Sequence, residues 1–239
     1  MSNKRIDSRR AGQLRPVTIT PDFVRTADGS CLIEMGGTRV ICTASIENTL
    51  PKWRDADGGG WVTAEYGMLP ASTGSRKSRP TLKPDSRSIE IQRLIGRSLR
   101  SIVRFDRLGP NSITLDCDVL EADGGTRTAS ITGAYVALQR AVEKGIAKGF
   151  FKKGAIRGAV AAVSVGIING KALLDLCYAE DSIADVDMNV VMTSSGKFVE
   201  IQGTSEAAPF TAVQLQQMLA LAGKGIKELL HVQKQALAR

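Results

Sequence analysis

Two stretches of this 239-residue chain follow the same local plan. LDCDVLEADGGTRTASITGAYVALQRAV (115–142) alternates apolar and polar residues, turns through small ones, and continues with apolar residues at helical spacing; VEIQGTSEAAPFTAVQLQQMLALA (199–222) does the same. Internal repetition of a strand, a small-residue turn and a threonine-containing helix start confines the chain to architectures built from two like units. The expectation is a duplicated β-β-α unit: an α+β fold with helices packed on mixed sheets, without regular alternation of single strands and crossover helices. At 239 residues and 43% hydrophobic content the chain can build a substantial core, as one large domain or two fused halves.

The intervening segments fit that plan. Residues 31–46 (CLIEMGGTRVICTASI) predict two strands joined at Gly36-Gly37, and 61–69 (WVTAEYGML) predict another. From Arg87 to Arg104 the residues Ile91, Leu94, Ile95, Leu99, Ile102 and Val103 recur three and four apart, with Arg93, Arg97, Arg100 and Arg104 between them. That spacing predicts an amphipathic helix with an arginine edge. In the second half, Asn169-Gly170 marks a hairpin, 187–204 hold two strands, and a long helix follows Pro209.

The formal net charge of +8 points to a polyanionic partner, with nucleic acid ahead of a membrane surface. No run reaches the roughly 18 apolar residues of a membrane span, and the polar start MSNKRIDSRRAG lacks a signal-peptide hydrophobic stretch, so an intracellular, soluble protein is expected. Cys31, Cys42, Cys117 and Cys177 stand singly in apolar segments, which fits reduced, buried thiols rather than a zinc site. The single histidine, His231, falls where a surface helix position is expected. Hydrolases built on a Ser/His/Asp triad, and nucleases built on paired imidazoles, are thereby disfavoured.

Three features can carry chemistry. Gly124-Gly125-Thr126-Arg127-Thr128 opens a helix after a strand; it is either an ordinary helix start or an anion site made of exposed N–H groups and an arginine. It is not a G-x-x-x-x-G-K-[ST] phosphate loop. The second is the basic stretch from Ser75 to Arg107, with Arg76, Lys77, Arg79, Lys83, Arg87, Arg93 and Arg97 among its cations. It reads as a solvated face or as a phosphodiester track, and with 5% aromatic residues base stacking is a minor contributor. The third is AEDSIADVDMNVVM (179–192), whose Glu180, Asp181, Asp185 and Asp187 concentrate negative charge in a basic protein. It is either a polar loop between strands, or a place where Asp181 and Asp187 converge as two carboxylates of the kind Mg²⁺ accepts beside substrate phosphate.

The runs GWVTAEYGMLP (60–70), SIEIQRLIGRSLR (88–100), ADGGTRTASITGA (122–134), DLCYAEDSIADVDMNVVMT (175–193) and EIQGTSEAAPF (200–210) together resemble the ribonuclease PH family, nearly from end to end. The resemblance implies a fold of two similar halves, about 10–150 and 151–239, like the second domain of ribosomal protein S5, within a single domain spanning 1–239. It implies a cytoplasmic, phosphate-dependent 3′ exoribonuclease that trims tRNA precursors, releases nucleoside diphosphates, and works as a hexameric trimer of dimers. It also implies roles: Arg87, Gly125, Thr126 and Arg127 for inorganic phosphate; Asp181 and Asp187 for acid function and Mg²⁺; Arg76, Arg79, Arg93 and Arg97 for the RNA 3′ end. A nucleophile that is already ionised explains the dispensable imidazole.

The chain departs from the family pattern at Ser8, where a glycine is usual, at Ala71, where an arginine is common, and at Cys177, where many members carry an aspartate. These bear on the grip on RNA rather than on the reaction. Two other classes stay open: an inert, RNA-binding ring subunit of the exosome type, and a hydrolytic two-metal exonuclease that would release monophosphates.

Overall fold

The Gly36-Gly37 and Asn169-Gly170 turns close hairpins as their chemistry requires, with Gly36, Asn169 and Gly170 all at positive φ. The computed structural model describes residues 5–79, 85–207 and 209–239. In chain order it contains β1 (Val17–Pro21), β2 (Gly29–Met35), β3 (Thr38–Glu47), β4 (Trp61–Met68), α1 (Ser86–Arg100), α2 (Phe105–Leu108), β5 (Ser112–Glu121), α3 (Thr126–Ala147), β6 (Val160–Ile168), β7 (Lys171–Leu174), α4 (Tyr178–Asp181), β8 (Val186–Thr193), β9 (Phe198–Ser205) and α5 (Ala212–Leu237). The strands form a five-stranded sheet ordered β1-β2-β3-β5-β4 and a four-stranded sheet ordered β7-β6-β8-β9. In each, a late strand feeds a long helix, β5 into α3 and β9 into α5, as the repeated sequence plan requires.

One parallel pair makes the first sheet mixed, as expected. β4 runs parallel to β5, so the chain between them must cross over, and α1 makes that crossing while packing on β4. Asp85 starts α1 by accepting the Ser88 N–H at 2.7 Å, a cap of about 1 kcal/mol. The helix stops at Arg100, short of the expected Arg104. Ile102 and Val103 are buried as their spacing predicts, but through a turn: Val103 bridges Ile156, and Arg157 donates its N–H to Ile102 O at 2.8 Å.

The core lies around α3, which packs on β2, β3 and β5 on one side and on β6 and β8 on the other. A helix squeezed between two sheets must be apolar and slim all round, and Ala129, Ile131, Ala134, Val136, Ala137, Leu138 and Ala141 are all fully buried. Close approach is enforced at Gly29 on β2, where a Cβ would stand 2.1 Å from Ala137 O. Each large side chain such as Ile131 or Leu138 contributes about 1.5–3 kcal/mol by burial. α5 then covers β6 and β7 and reaches β1 of the first sheet. Buried Gln233 on α5 ties the layers by donating to Thr132 O and Val160 O, each at 2.9 Å. The four cysteines are buried and unpaired, and His231 is exposed on α5, as expected. Among the described residues no helix is long and apolar enough to cross a membrane.

Candidate active site

The turn from β5 into α3 is built to present N–H groups. Gly124 and Gly125 have φ of +74° and +66°, a conformation that costs glycine little. Their surroundings hold the carbonyls back: Thr38 Oγ1 donates to Gly124 O at 2.6 Å, and the Arg15 guanidinium donates to Asp123 O and, at 3.4 Å, to Gly124 O. Gly124, Gly125, Thr126 and Arg127 line the cavity at the positive end of the α3 dipole, where first-turn N–H groups have no intrahelical partner. A side chain at Gly124 has no room, because its Cβ would lie 2.7 Å from Leu176 O. That contact brings the turn against the connection from β7 to α4. Thr126, beside it, shares a 2.9 Å hydrogen bond with the Tyr66 hydroxyl.

The opposing wall comes from the second sheet. Arg15 also binds Asp175 through Nε at 3.0 Å and Nη2 at 2.7 Å, while Arg5 grips Glu180 at 2.7 and 2.5 Å, all four side chains being buried. Glu180 is thus a structural anchor within the acidic segment. It holds α4 so that Asp181, the next residue, turns toward the cavity. On β8, Asp187 and Asn189 share one face, as residues two apart do. Their register partners complete two rows across the sheet, Gly166–Asp187–Thr204 and Ser164–Asn189–Gln202.

Arg87, Gly125, Thr126, Arg127, Asp181 and Asp187 all line one cavity of about 660 Å³. A second hollow of about 450 Å³ adjoins it, sharing Arg87, Arg127, Asp181, Asp187 and Asn189 and adding Glu90, Gln202 and Glu206. Burial, reinforced by the neighbouring Asp181 charge, pushes the Asp187 carboxyl up to about 6, although Arg127 and Arg87 pull the other way. Burial likewise raises Asp181, against the two arginines. Asp187 Oδ1 is buried with no hydrogen-bond partner among the described residues. A buried oxygen in that state is paired only when something from outside donates to it or coordinates it.

The arginines expected on RNA are placed differently. Arg76, Arg79 and Arg93 are exposed and lie outside the walls of both hollows. Arg97 is held on β9 by Glu200, at 2.8 to 3.1 Å through three contacts. Lys83 lies outside the described residues. The cations of the basic stretch have different surroundings: Arg100 folds over the Trp61 ring at 4.8 Å and donates to Val62 O, while Lys77 and Arg87 line the cavity. Sequence reasoning missed Tyr178, Ser164, Asn189, Glu90, Gln202 and Glu206 in the walls, and Arg15 behind them. The signal for Gln202 and Glu206 was present in EIQGTSEAAPF; Ser164 sits in an apolar strand with nothing to mark it.

Residues 13–142 match the first domain, and 158–225 the second, of the 3′ exoribonuclease family that includes RNase PH. The chain belongs to this 3′ exoribonuclease family. It is 58% identical over 233 residues to the ribonuclease PH of Neisseria meningitidis serogroup C, covering 97% of this chain and 96% of that one. It is 57% identical to the ribonuclease PH of Neisseria gonorrhoeae with the same coverage. The fold matches a chain of the Archaeoglobus fulgidus exosome with RNA bound to the active site, at a TM-score of 0.83 and 22% identity over 96% of this chain and 92% of that one. As a member of the ribonuclease PH group, the chain is a phosphorolytic 3′ exoribonuclease with the duplicated RNase PH fold.

Proposed function

We propose that this cavity performs the phosphorolysis, with Arg87, Arg127, Gly125 and Thr126 holding inorganic phosphate and Asp181 and Asp187 serving the departing ribose. The observation that carries this reading is the meeting, in one cavity, of an arginine pair and helix N-terminus with a carboxylate whose Oδ1 has no partner among the described residues. The obstacle to the reaction is repulsion between phosphate and the phosphodiester, about 4 kcal/mol per charge pair at 4 Å and an effective dielectric of 20. The two guanidinium groups and the N–H groups of α3 offset it and align the phosphate oxygen with the terminal phosphorus. As that P–O bond forms, the bond to the ribose 3′-oxygen breaks, and the 3′-oxygen takes a proton. Asp187, raised to about 6, is closer to neutrality than an ordinary carboxyl, so a minor protonated fraction can give its proton to the 3′-oxygen. The products are a nucleoside diphosphate and an RNA one residue shorter, and diphosphates in excess drive the reverse addition.

The donor set suits Mg²⁺ shared with substrate: two carboxylates, one with a buried oxygen unpaired among the described residues. Asp181 and Asp187 would hold the ion, which would neutralise charge on the transferring group. We also read the chain as one unit of two similar halves, about 10–150 and 151–239, supported by the single large core both share. tRNA precursors as substrate, a cytoplasmic location and a homohexamer arranged as a trimer of dimers are in keeping with the ribonuclease PH relatives; exposed Phe198, Ile201 and Val213 offer apolar surface for assembly. Arg76, Arg79 and Arg93 remain available as exposed phosphate contacts.

The test is to incubate the protein and Mg²⁺ with a tRNA bearing a 3′ extension, with and without inorganic phosphate, and to identify the released nucleotide. Diphosphates that appear only with phosphate support the reading. Phosphate-independent monophosphates would establish hydrolysis, and tight binding without release would establish an inert subunit; either overturns it. Arg127→Ala is expected to abolish phosphate-dependent release while RNA binding survives, and an equal loss of RNA affinity would reject this division of labour.

A further inference from the structure

Arg127 is held by two neighbours. Its Nη1 donates to Glu90 Oε1 at 3.0 Å and to Gln202 Oε1 at 2.9 Å, and Gln202 Nε2 closes the triangle by donating to Glu90 Oε1 at 3.0 Å. The three residues come from α3, α1 and β9, so the triangle joins the two halves directly over the cavity. A second tie repeats the connection, Arg97 to Glu200. Glu90 and Arg97 are two helical turns apart on one face of α1, and Glu200 and Gln202 share one face of β9. α1, which carries Arg87 at its start, is thereby zipped onto the sheet that carries Asp187.

The geometry of the guanidinium gives the triangle a further meaning. Arginine has five donors in a fixed planar fork, and it meets an oxyanion best along one edge, through two parallel hydrogen bonds. Glu90 and Gln202 both use Nη1. Nε and Nη2 have no partner among the described residues, which leaves the Nε–Nη2 edge open. A side chain fixed beforehand loses less freedom when the anion arrives. Glu90 also opposes the anion, because its charge lies beside the same guanidinium.

We propose that Glu90 and Gln202 are positioning residues that hold Arg127 with its Nε–Nη2 edge turned to phosphate, and so set the affinity for phosphate rather than for RNA. This rests on the reading that Arg127 binds the attacking phosphate. In the reverse direction, the same edge meets the terminal phosphate of a nucleoside diphosphate.

Steady-state kinetics in both directions test it, with RNA affinity measured separately without phosphate. Gln202→Leu keeps bulk but removes both of its bonds, and is expected to raise KM for phosphate about tenfold, the value of one charge-assisted hydrogen bond, with kcat within about twofold. KM for the nucleoside diphosphate should rise by a similar factor and RNA affinity should not move. Glu90→Leu should act likewise and carries the test if Gln202→Leu does not fold. Glu90→Gln retains the acceptor without the charge, and should leave KM for phosphate at or below that of the unaltered protein. A folded Gln202→Leu with unchanged phosphate KM, or a Glu90→Gln as impaired as Glu90→Leu, overturns the proposal. Failure of the unaltered protein to release diphosphates would instead refute the site reading itself, so the two failures are distinguishable.

Discussion

At residue scale, the informative positions are those where a side chain sits in a place that does not suit it. Ser8 has φ +64°, in the left-handed region where a Cβ costs about 1–2 kcal/mol. Ser8→Gly is expected to stabilise the protein by about 0.5–1 kcal/mol, after the extra freedom glycine gives the unfolded chain, seen as a higher urea midpoint at unchanged slope. Asp187 is the other case. Its carboxyl is raised from 3.8 to about 6, so the folded state holds a proton there that the unfolded state has released. The group costs nothing below pH 4; the cost grows between pH 4 and about 6 and is complete above that. Asp187→Asn should therefore gain roughly 1–3 kcal/mol at pH 7–8 and lose that gain at pH 4, while phosphorolysis is lost throughout. Melting curves across pH check the first outcome and product release the second. The sequence marked Asp187 by charge density and by resemblance; that its Oδ1 has no partner among the described residues is visible only when β8 lies between β6 and β9.

At the scale of elements, alternation, helical spacing and turn residues located most strands and helices, but not β1, α2 and α4, which span five residues or fewer. Periodicity failed at residues 101–104, where Ile102 and Val103 keep helical spacing but are buried by a bridge to Ile156, a contact from distant sequence. It also could not reveal Arg15, which precedes β1 and works on loops more than a hundred residues away. Arg15 braces the turn into α3 and the connection into α4 against each other through Asp175. Arg15→Met should leave Asp175 buried without its main counter-charge and destabilise the protein by about 3–5 kcal/mol, measured by denaturant unfolding. The four arginines that the resemblance implied for RNA share one charge run in the sequence, and a run does not tell a cation that faces solvent from one that, like Arg97, pairs with a carboxylate.

At the scale of the molecule, the excess of cations is a statement about partners. RNA affinity should fall at least about tenfold between 50 and 200 mM salt, since contacts to phosphates release counterions, and a filter-binding series will show it. The cavity itself lies on the seam: Arg87, Gly125, Thr126 and Arg127 precede residue 150, whereas Asp181, Asp187, Gln202 and Glu206 follow it. Sequence motifs on both sides of that seam were legible, but their convergence depends on α3 lying between the sheets. Synthesis adds a temporal meaning to this split. During synthesis the residues proposed to hold phosphate emerge before Asp181, Asp187 and β9 are made. On the proposed assignment, the complete set of groups therefore meets only once both halves of the chain are present.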